Sequence, residues 1–433
     1  MNRESDDAAQ QARHDGEHAV DYMRRRGYVF DITEEAALRD ALDTGTLTAY
    51  IGFDPTASSL HVGHQLGIMM LAVLQRFGHQ PIALGGGGTA LVGDPSGRTS
   101  VRDVLTDEQI RSNLRSILPQ FNQFLDFKGN RFGENPAALL MNNADWLLRL
   151  NYIEFLRDIG RHFSVNEMLA AETYKLRIEA GAGLNFVEFN YRIVQAFDFL
   201  HLHRTTGCLL QMGGSDQWGN IVAGVDLIRR VEGVKSFGLV CPLLCTASGE
   251  KMGKTAGNSV WLDGSLTSPF DYYQYWVNVD DADVKRLLKL YTFISDEQID
   301  NLTAAEGEVL RDAKRLLAVE TTRLAHGDSA AAEADAAAQM LFSGQSMDAM
   351  LDDPNVPSIV IDLALSNGVV TIAGAFVLAG MASSRGDARR LASQGGLAIN
   401  GVRVDDADIA FEIGDQPVMF RVGKKRFKKI AAR

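Results

Sequence analysis

Cysteine is scarce in this chain of 433 residues: Cys208, Cys241 and Cys245 are all there is. An odd count without a paired C-x-x-C spacing argues against a disulfide framework and against a four-cysteine zinc site, and it fits a reducing compartment. No apolar stretch of signal-peptide length opens the sequence. The longest apolar run, residues 369–382, is too short to span a bilayer and reads as a buried helix, so no membrane association is expected. Glycine is plentiful, yet the dinucleotide pattern G-x-G-x-x-G is missing. Ala90 closes the frame opened by Gly85, and Leu91 the frame opened by Gly86. A P-loop is missing too, because Ser248 stands where Gly253-Lys254-Thr255 requires glycine and no helix-forming run follows. His61-x-x-His64 lacks the glutamate, the spacing and the third ligand of a helical zinc site, so no metal site is expected.

What is present is ample core material, 46% hydrophobic residues, enough for two or three domains. The charge is uneven. From Ile361 onward 11 Lys+Arg face 7 Asp+Glu, a net of +4, so the first 360 residues carry −16 of the total −12. The basic end is the better candidate for nucleic-acid contact, although a solvated face gives the same pattern.

Residues 1–20 lack a clear pattern and read as a mobile arm or a short exposed helix. From Thr48 an apolar strand (TAYIGF), an amphipathic run through Leu66, Met69, Val73 and Phe77, and a second strand (PIALGG) predict a strand–helix–strand unit in a parallel sheet. A helical stretch is expected over 108–179, and the alternation resumes over 208–242. Residues 279–350 are rich in helix formers. Asp352-Asp353-Pro354-Asn355-Val356-Pro357 is the best linker. Beyond it, Ser383-Ser384 is placed to cap a basic helix with Arg385, Arg389 and Arg390, and Asn400-Gly401 between two apolar runs signals a hairpin.

Five segments could carry chemistry. Tyr50-x-Gly52-x-Asp54-Pro55-Thr56 leads into His61-Val62-Gly63-His64 at a helix start, where backbone N–H groups and the helix dipole favour a triphosphate; two surface histidines at a helix start would look the same. Gly63 would leave room for a flat base. Gly85 to Thr89, followed by Gly93-Asp94-Pro95-Ser96-Gly97, would allow close ligand approach, with Asp94 holding a cationic amine, or would form a plain tight loop. Tyr191, Gln195 and Asp198 at i, i+4 and i+7 share one helix face, suited to a small polar ligand or simply an exposed stripe. Gln211 to Asn220 is dense in polar side chains just after an apolar strand, where open sheets bind ligands, though a turn fits as well. Lys251-Met252-Gly253-Lys254-Thr255 reads as a cationic loop able to close over phosphates, or as an ordinary basic turn.

Taken in order, these segments resemble the class I aminoacyl-tRNA synthetases, and within them the tyrosine branch. HVGH is similar to the first signature of that class and KMGKT to the second. YIGFDPTASSLHVGH, GDPSG, YRIVQAFDF and GGSDQWGN resemble the tyrosine branch in particular, with Phe197 where a tyrosine is common. The resemblance implies a ligase for L-tyrosine, ATP and tRNA(Tyr). Tyr50 and Asp198 would bind the substrate phenol, Asp94, Tyr191 and Gln195 its amine, and Gln217 its carboxylate. Thr56, His61, His64, Lys251, Lys254 and Thr255 would serve catalysis, and Gly52, Asp54, Gly63, His64, Gly214, Asp216 and Lys254 would line the ATP site. ATP would enter as its Mg²⁺ complex, with no tightly bound cofactor.

The implied fold is α/β. A Rossmann-like parallel-sheet catalytic domain spans 31–260 after an arm at 1–30, with a helical insertion near 120–190 that forms a homodimer interface. An α-helical domain at 261–350, a linker at 351–362 and a small α+β RNA-binding domain at 363–433 follow, the last resembling a module first recognised in a small-subunit ribosomal protein. A cytoplasmic location is expected. The competing readings are a tryptophan ligase of the same class, a non-catalytic RNA-binding regulator on this scaffold, and another adenylating enzyme that shares the H-x-G-H motif.

Overall fold

The computed structural model describes residues 7–96, 105–170, 174–175, 178, 185–245, 252, 254–255, 258–304, 307–342, 351, 358–361, 370–411, 416–423 and 426–432. The chain divides into two compact units, the first of residues 1–253, 261–263 and 280–313, the second of residues 254–260, 264–279 and 314–433. The division runs through the helical segment 261–350.

The first unit opens with helices α1 (Ala8–His14) and α2 (Ala19–Arg26), then strand β1 (Asp31–Ile32), α3 (Glu35–Asp43), β2 (Thr48–Phe53), α4 (Val62–Arg76) and β3 (Gln80–Gly85). It continues through α5 (Asp107–Ile117), β4 (Leu139–Asn142), α6 (Ala144–Leu147), α7 (Tyr152–Asp158), α8 (Val165–Ala170) and α9 (Phe186–Thr206) to β5 (Leu210–Gly214), α10 (Trp218–Glu232) and β6 (Phe237–Cys241). The six strands lie in the order β1-β6-β5-β2-β3-β4, with β1 antiparallel and every other pair parallel. The expected strand–helix–strand unit is thus β2-α4-β3. Chain order reverses between β2 and β5, and a crevice at such a reversal, beyond the carboxyl ends of the strands, is where open α/β sheets bind ligands.

Two expectations are corrected in this unit. The segment 108–179 is not helical throughout: β4 lies inside it and extends the sheet beside β3, and a strand of four residues between polar turns leaves little periodicity to read. Nor do the described residues of the segment 1–20 form a mobile arm; they are helical, as the alternative reading has it, but with one face buried. Helices α1 and α2 bury Ala9, Ala12, Tyr22 and Met23. Arg76 of α4 ties them down, donating to the Asp7 carboxylate at 2.5 Å. Arg26, fully buried, donates to the carbonyls of Leu288, Lys289, Thr292 and Ile294, so it satisfies the C-terminal carbonyls of the helix Val284–Tyr291, which the macrodipole also favours. Covered by the sheet and by these helices, α4 buries twelve of its fifteen residues, which explains its nearly continuous apolar run.

The second unit holds the helices Pro269–Val277 and Asp328–Phe342, joined where the Tyr273 hydroxyl donates to Asp335 at 2.9 Å and Arg315 grips the same carboxylate at 2.8 and 2.7 Å. Its C-terminal part is α+β. Phe376 of the buried helix Ile372–Leu378 stacks on Phe420 with ring centroids 4.3 Å apart. The hairpin forms at Asn400-Gly401, with φ of 47° and 79°, and Ser384 caps the basic helix through the Asp387 amide. Arg389 and Arg390 of that helix pair with Asp408 and Asp387, weak surface pairs that a phosphate can displace. The proposed linker ends earlier than residue 362, because Ser358–Ile361 is a strand that runs parallel to the final strand Arg426–Ala432.

Candidate active site

Two strand ends and one helix build the crevice. Asp54 follows β2, Gln217 follows β5, and α9 lays Tyr191, Gln195 and Asp198 across them, the one-face arrangement their spacing predicts. Asp198 is 2% exposed. Its two carboxylate oxygens accept from Asn143 Nδ2 at 2.8 Å and from Trp146 Nε1 at 2.7 Å. Burial raises its pKa to about 7, the two donors hold it down, and the charge of Asp54 adds to the rise. Beside it Tyr50, 1% exposed, has a hydroxyl without a hydrogen-bond partner among the described residues. Burial first, then the charge on Asp198, keep that phenol neutral far above its ordinary pKa.

A continuous network runs outward from Asp198. Asn143 also donates to Thr89 Oγ1 at 2.9 Å and accepts from the Gly88 amide at 2.7 Å. Thr89 donates to Asp54 Oδ1 at 2.7 Å, and Tyr191, with its pKa raised chiefly by burial, donates to Asp54 Oδ2 at 3.0 Å. A second group gathers on the β5 side. Gln217 donates to Asp94 at 2.7 Å, Gln195 to Gln217 at 3.3 Å, and Asn220 to Gln195, Gln217 and Ser96 at 3.2 Å each. The structure therefore brings together Tyr50, Asp54, Asp94, Tyr191, Gln195, Asp198 and Gln217. Trp146, Asn143, Thr89 and Asn220 were given no role by the sequence. The first two sit in the stretch read as helix, and the only hint was the polar pair Asn142-Asn143 before an aromatic.

The first signature turns inward on itself. His61 is the N-cap of α4, its Nδ1 accepting from the Gly63 amide at 3.0 Å, and His64 Nδ1 accepts from the His61 amide at 3.2 Å. The rings stack with centroids 3.8 Å apart. With both Nδ1 atoms accepting, each neutral ring carries its proton on Nε2, which makes Nε2 the donor nitrogen of both imidazoles. Gly63 makes room for the His61 ring, since a Cβ there would stand 2.8 Å from its Cε1. The glycine run is likewise packed closely against its own neighbours. A Cβ at Gly86 would meet Asp54 Oδ1 at 2.0 Å, and one at Gly87 would meet Asn142 Oδ1 at 2.4 Å. Gly214 gives way to Asp216, 2.6 Å from its would-be Cβ, whereas Gly52 is exposed and faces open space. Thr56 is exposed as well. Phe197 packs edge-on against Phe155, with centroids 5.5 Å apart.

Lys251 lies outside the described residues. Lys254 and Thr255 form a two-residue strand paired with Asn258–Ser259 in the second unit, which gives backbone positions only. A family model described as tRNA synthetases class I (W and Y) matches residues 42–343, and one described as S4 domain matches residues 375–416. With that sheet, that signature and those matches, the chain belongs to the class I aminoacyl-tRNA synthetases, in the family of the tryptophan and tyrosine enzymes. The tyrosine–tRNA ligase of Desulfosudis oleivorans is 48% identical over 437 residues, covering 96% of this chain and 99% of that protein. That of Clostridium tetani is 46% identical over 421 residues, with 96% and 99% covered. Among solved structures, the C-terminally truncated mitochondrial tyrosyl-tRNA synthetase of Aspergillus nidulans superposes with a TM-score of 0.69 at 31% identity, over 77% of this chain and 97% of that one.

Proposed function

We propose that this chain is a tyrosine–tRNA ligase, which joins L-tyrosine to ATP as tyrosyl-adenylate and then transfers it to the 3′-terminal adenosine of tRNA(Tyr). The observation that carries the reading is the pairing of Asp198, a buried carboxylate fixed by Asn143 and Trp146, with the Tyr50 hydroxyl, unpartnered among the described residues. Such a pair suits a phenol, which donates to the carboxylate and accepts from the tyrosine, better than an indole, which has a donor only. The relatives named above support the same substrate.

Asp94, Tyr191 and Gln195 then hold the substrate amine and Gln217 its carboxylate. That carboxylate attacks the α-phosphorus of ATP, the new acyl–phosphate bond replacing the bond to pyrophosphate. No side-chain nucleophile is needed, and the protein contributes positioning and stabilisation of negative charge. Nε2–H donors of His61 and His64 serve the phosphates with Thr56, and Lys251, Lys254 and Thr255 of the basic loop neutralise the departing pyrophosphate. Gly52, Asp54, Gly63, Gly214 and Asp216 line the nucleotide site, and Mg²⁺ arrives as part of the ATP complex. The 2′ or 3′ hydroxyl of the tRNA then takes the tyrosyl group, with the C-terminal module gripping RNA phosphates.

A homodimer is part of the reading. Leu148, Tyr152, Ile153, Leu156, Val165 and Leu169 in and around α6 to α8 are all exposed, more apolar surface than a lone soluble domain usually shows in one segment. The cytoplasm, where tRNA is charged, is the expected location. Among the described residues no helix is long and apolar enough to cross a membrane. The test is charging of tRNA with labelled amino acids by the purified chain. Tyrosine is expected to be esterified and phenylalanine refused by roughly 10⁴- to 10⁵-fold, a size measured on enzymes of this very type rather than worked out from this structure. Faster charging with tryptophan would overturn the assignment.

A further inference from the structure

Helix α9 has a second polar face. Tyr191 turns to the crevice, while Arg192, the next residue and about 100° further round the helix, lines a separate groove of about 130 Å³. Gly219, Ala223, Asp226 and Arg230 of α10 form one wall of that groove, and Ser164 and Glu167 stand across it. Arg192 is 7% exposed. Its guanidinium carbon lies 4.9 Å from the centroid of the Tyr174 ring, and its Nε is buried without a partner. Among the described residues no hydrogen bond or ion pair reaches the guanidinium. Burial draws its pKa down, as expected for a cation without a counter-charge.

The carboxylates that border the groove are engaged elsewhere. Asp226 accepts from Arg229 at 2.6 Å, and Glu167 lies 3.7 Å from Arg230. The chain also makes room for the guanidinium: a Cβ at Gly219 would stand 2.5 Å from the Arg192 Nη2 atom. A cation withdrawn from water is costly unless it is paired, and the planar fork of arginine matches the oxygens of a phosphate in a two-point contact. The volume exceeds the share of one water several times over, enough for a tetrahedral anion.

We propose that this groove, separate from the crevice, is a binding site for a single phosphate group, held by the Arg192 guanidinium against the Tyr174 ring. The group is either free inorganic phosphate or a phosphodiester of bound RNA.

The experiment is equilibrium dialysis of labelled orthophosphate against the full chain and two variants. Arg192→Met keeps the packing on Tyr174 without the charge, and Arg192→Lys keeps the charge without the fork. Native protein is expected to bind one equivalent more than Arg192→Met, and Arg192→Lys to bind that equivalent at least about tenfold more weakly. ATP–pyrophosphate exchange within twofold of native in both variants separates this site from the crevice, so its failure and that of the functional reading are distinguishable. The source is read from tRNA charging, which rests on that reading. An unchanged KM for tRNA in Arg192→Met assigns the free ion, and a raised KM with phosphate competing in the native protein assigns the phosphodiester. Equal phosphate binding by native protein and Arg192→Lys, or by native protein and a folded Arg192→Met, would overturn the proposal.

Discussion

Replacing Asn143 by alanine removes one of the two donors that keep Asp198 ionised, and the consequence can be worked through. In the folded protein the Asp198 carboxyl is raised to about 7 by burial against the pull of Asn143 and Trp146. A hydrogen bond to a charged group contributes about 1.5–3 kcal/mol, and a pKa unit corresponds to about 1.4 kcal/mol, so its loss moves Asp198 up by roughly one to two units. The ionised carboxylate accepts a charge-assisted hydrogen bond from the substrate phenol, about twice as strong as the bond to the neutral acid, whose own O–H is a donor. The acidic limb of kcat/KM for tyrosine, which reports the free enzyme, is therefore expected near pH 7 in the native protein and near about 8 to 9 in Asn143→Ala. At pH 7 the ionised fraction falls from about one half to roughly 1–10%, a loss of about 5- to 50-fold in kcat/KM that narrows as the pH rises past 9. The assay is tyrosine-dependent pyrophosphate exchange at saturating ATP from pH 6 to 9.5. A uniform loss at every pH, with the limb in its native place, would refute the electrostatic role of Asn143 and leave only its bonds to Thr89 and Gly88.

Three further outcomes are expected. Tyr50→Phe removes a buried hydroxyl that has no partner among the described residues, so thermal stability should hold or rise by up to about 1 kcal/mol while the preference for tyrosine over phenylalanine drops about 10- to 100-fold; a destabilised variant with intact preference would contradict this. Gly86→Ala drives a methyl against Asp54 and Thr89, and should lower kcat/KM for tyrosine by at least about tenfold with circular dichroism unchanged; native kinetics would show that the loop yields freely. Ile153→Asp places a charge at a position 69% exposed, and should shift the sedimenting species from dimer to monomer; a monomeric native chain, or a variant still dimeric, would remove α7 from the interface.

The parts of the fold that announce themselves in sequence are those with long, regular patterns. Strand β2 emerged as TAYIGF, α4 as a helix whose apolar positions recur at helical spacing, and the Asn400-Gly401 hairpin from two residues that tolerate positive φ. The polar face of α9 was equally plain, because i, i+4 and i+7 positions meet wherever such a helix docks. Strand β4 escaped notice, being four residues within a stretch rich in helix formers, and with it went Asn143 and Trp146, the two groups that fix the charge of Asp198. The N-terminal helices were hidden for a different reason. Their short amphipathic faces gain meaning only from distant partners, such as Arg76 for Asp7 and the carbonyls of residues 288–294 for Arg26. Glycines are ambiguous in a third way. At Gly63, Gly86 and Gly87 the missing side chain accommodates the protein's own His61, Asp54 and Asn142, and a sequence cannot distinguish room for a ligand from room for a neighbour.

The central claim is that a carboxylate at position 198 and a phenol at position 50 select the ring hydroxyl of an amino acid that is then adenylated. Pyrophosphate exchange with each of the twenty amino acids in turn, by the native chain and by Asp198→Ala, tests it most directly. Exchange driven by tyrosine alone in the native protein, and abolished in the variant, is the predicted result. Exchange driven by tryptophan, or tyrosine-driven exchange that survives in Asp198→Ala, would contradict it.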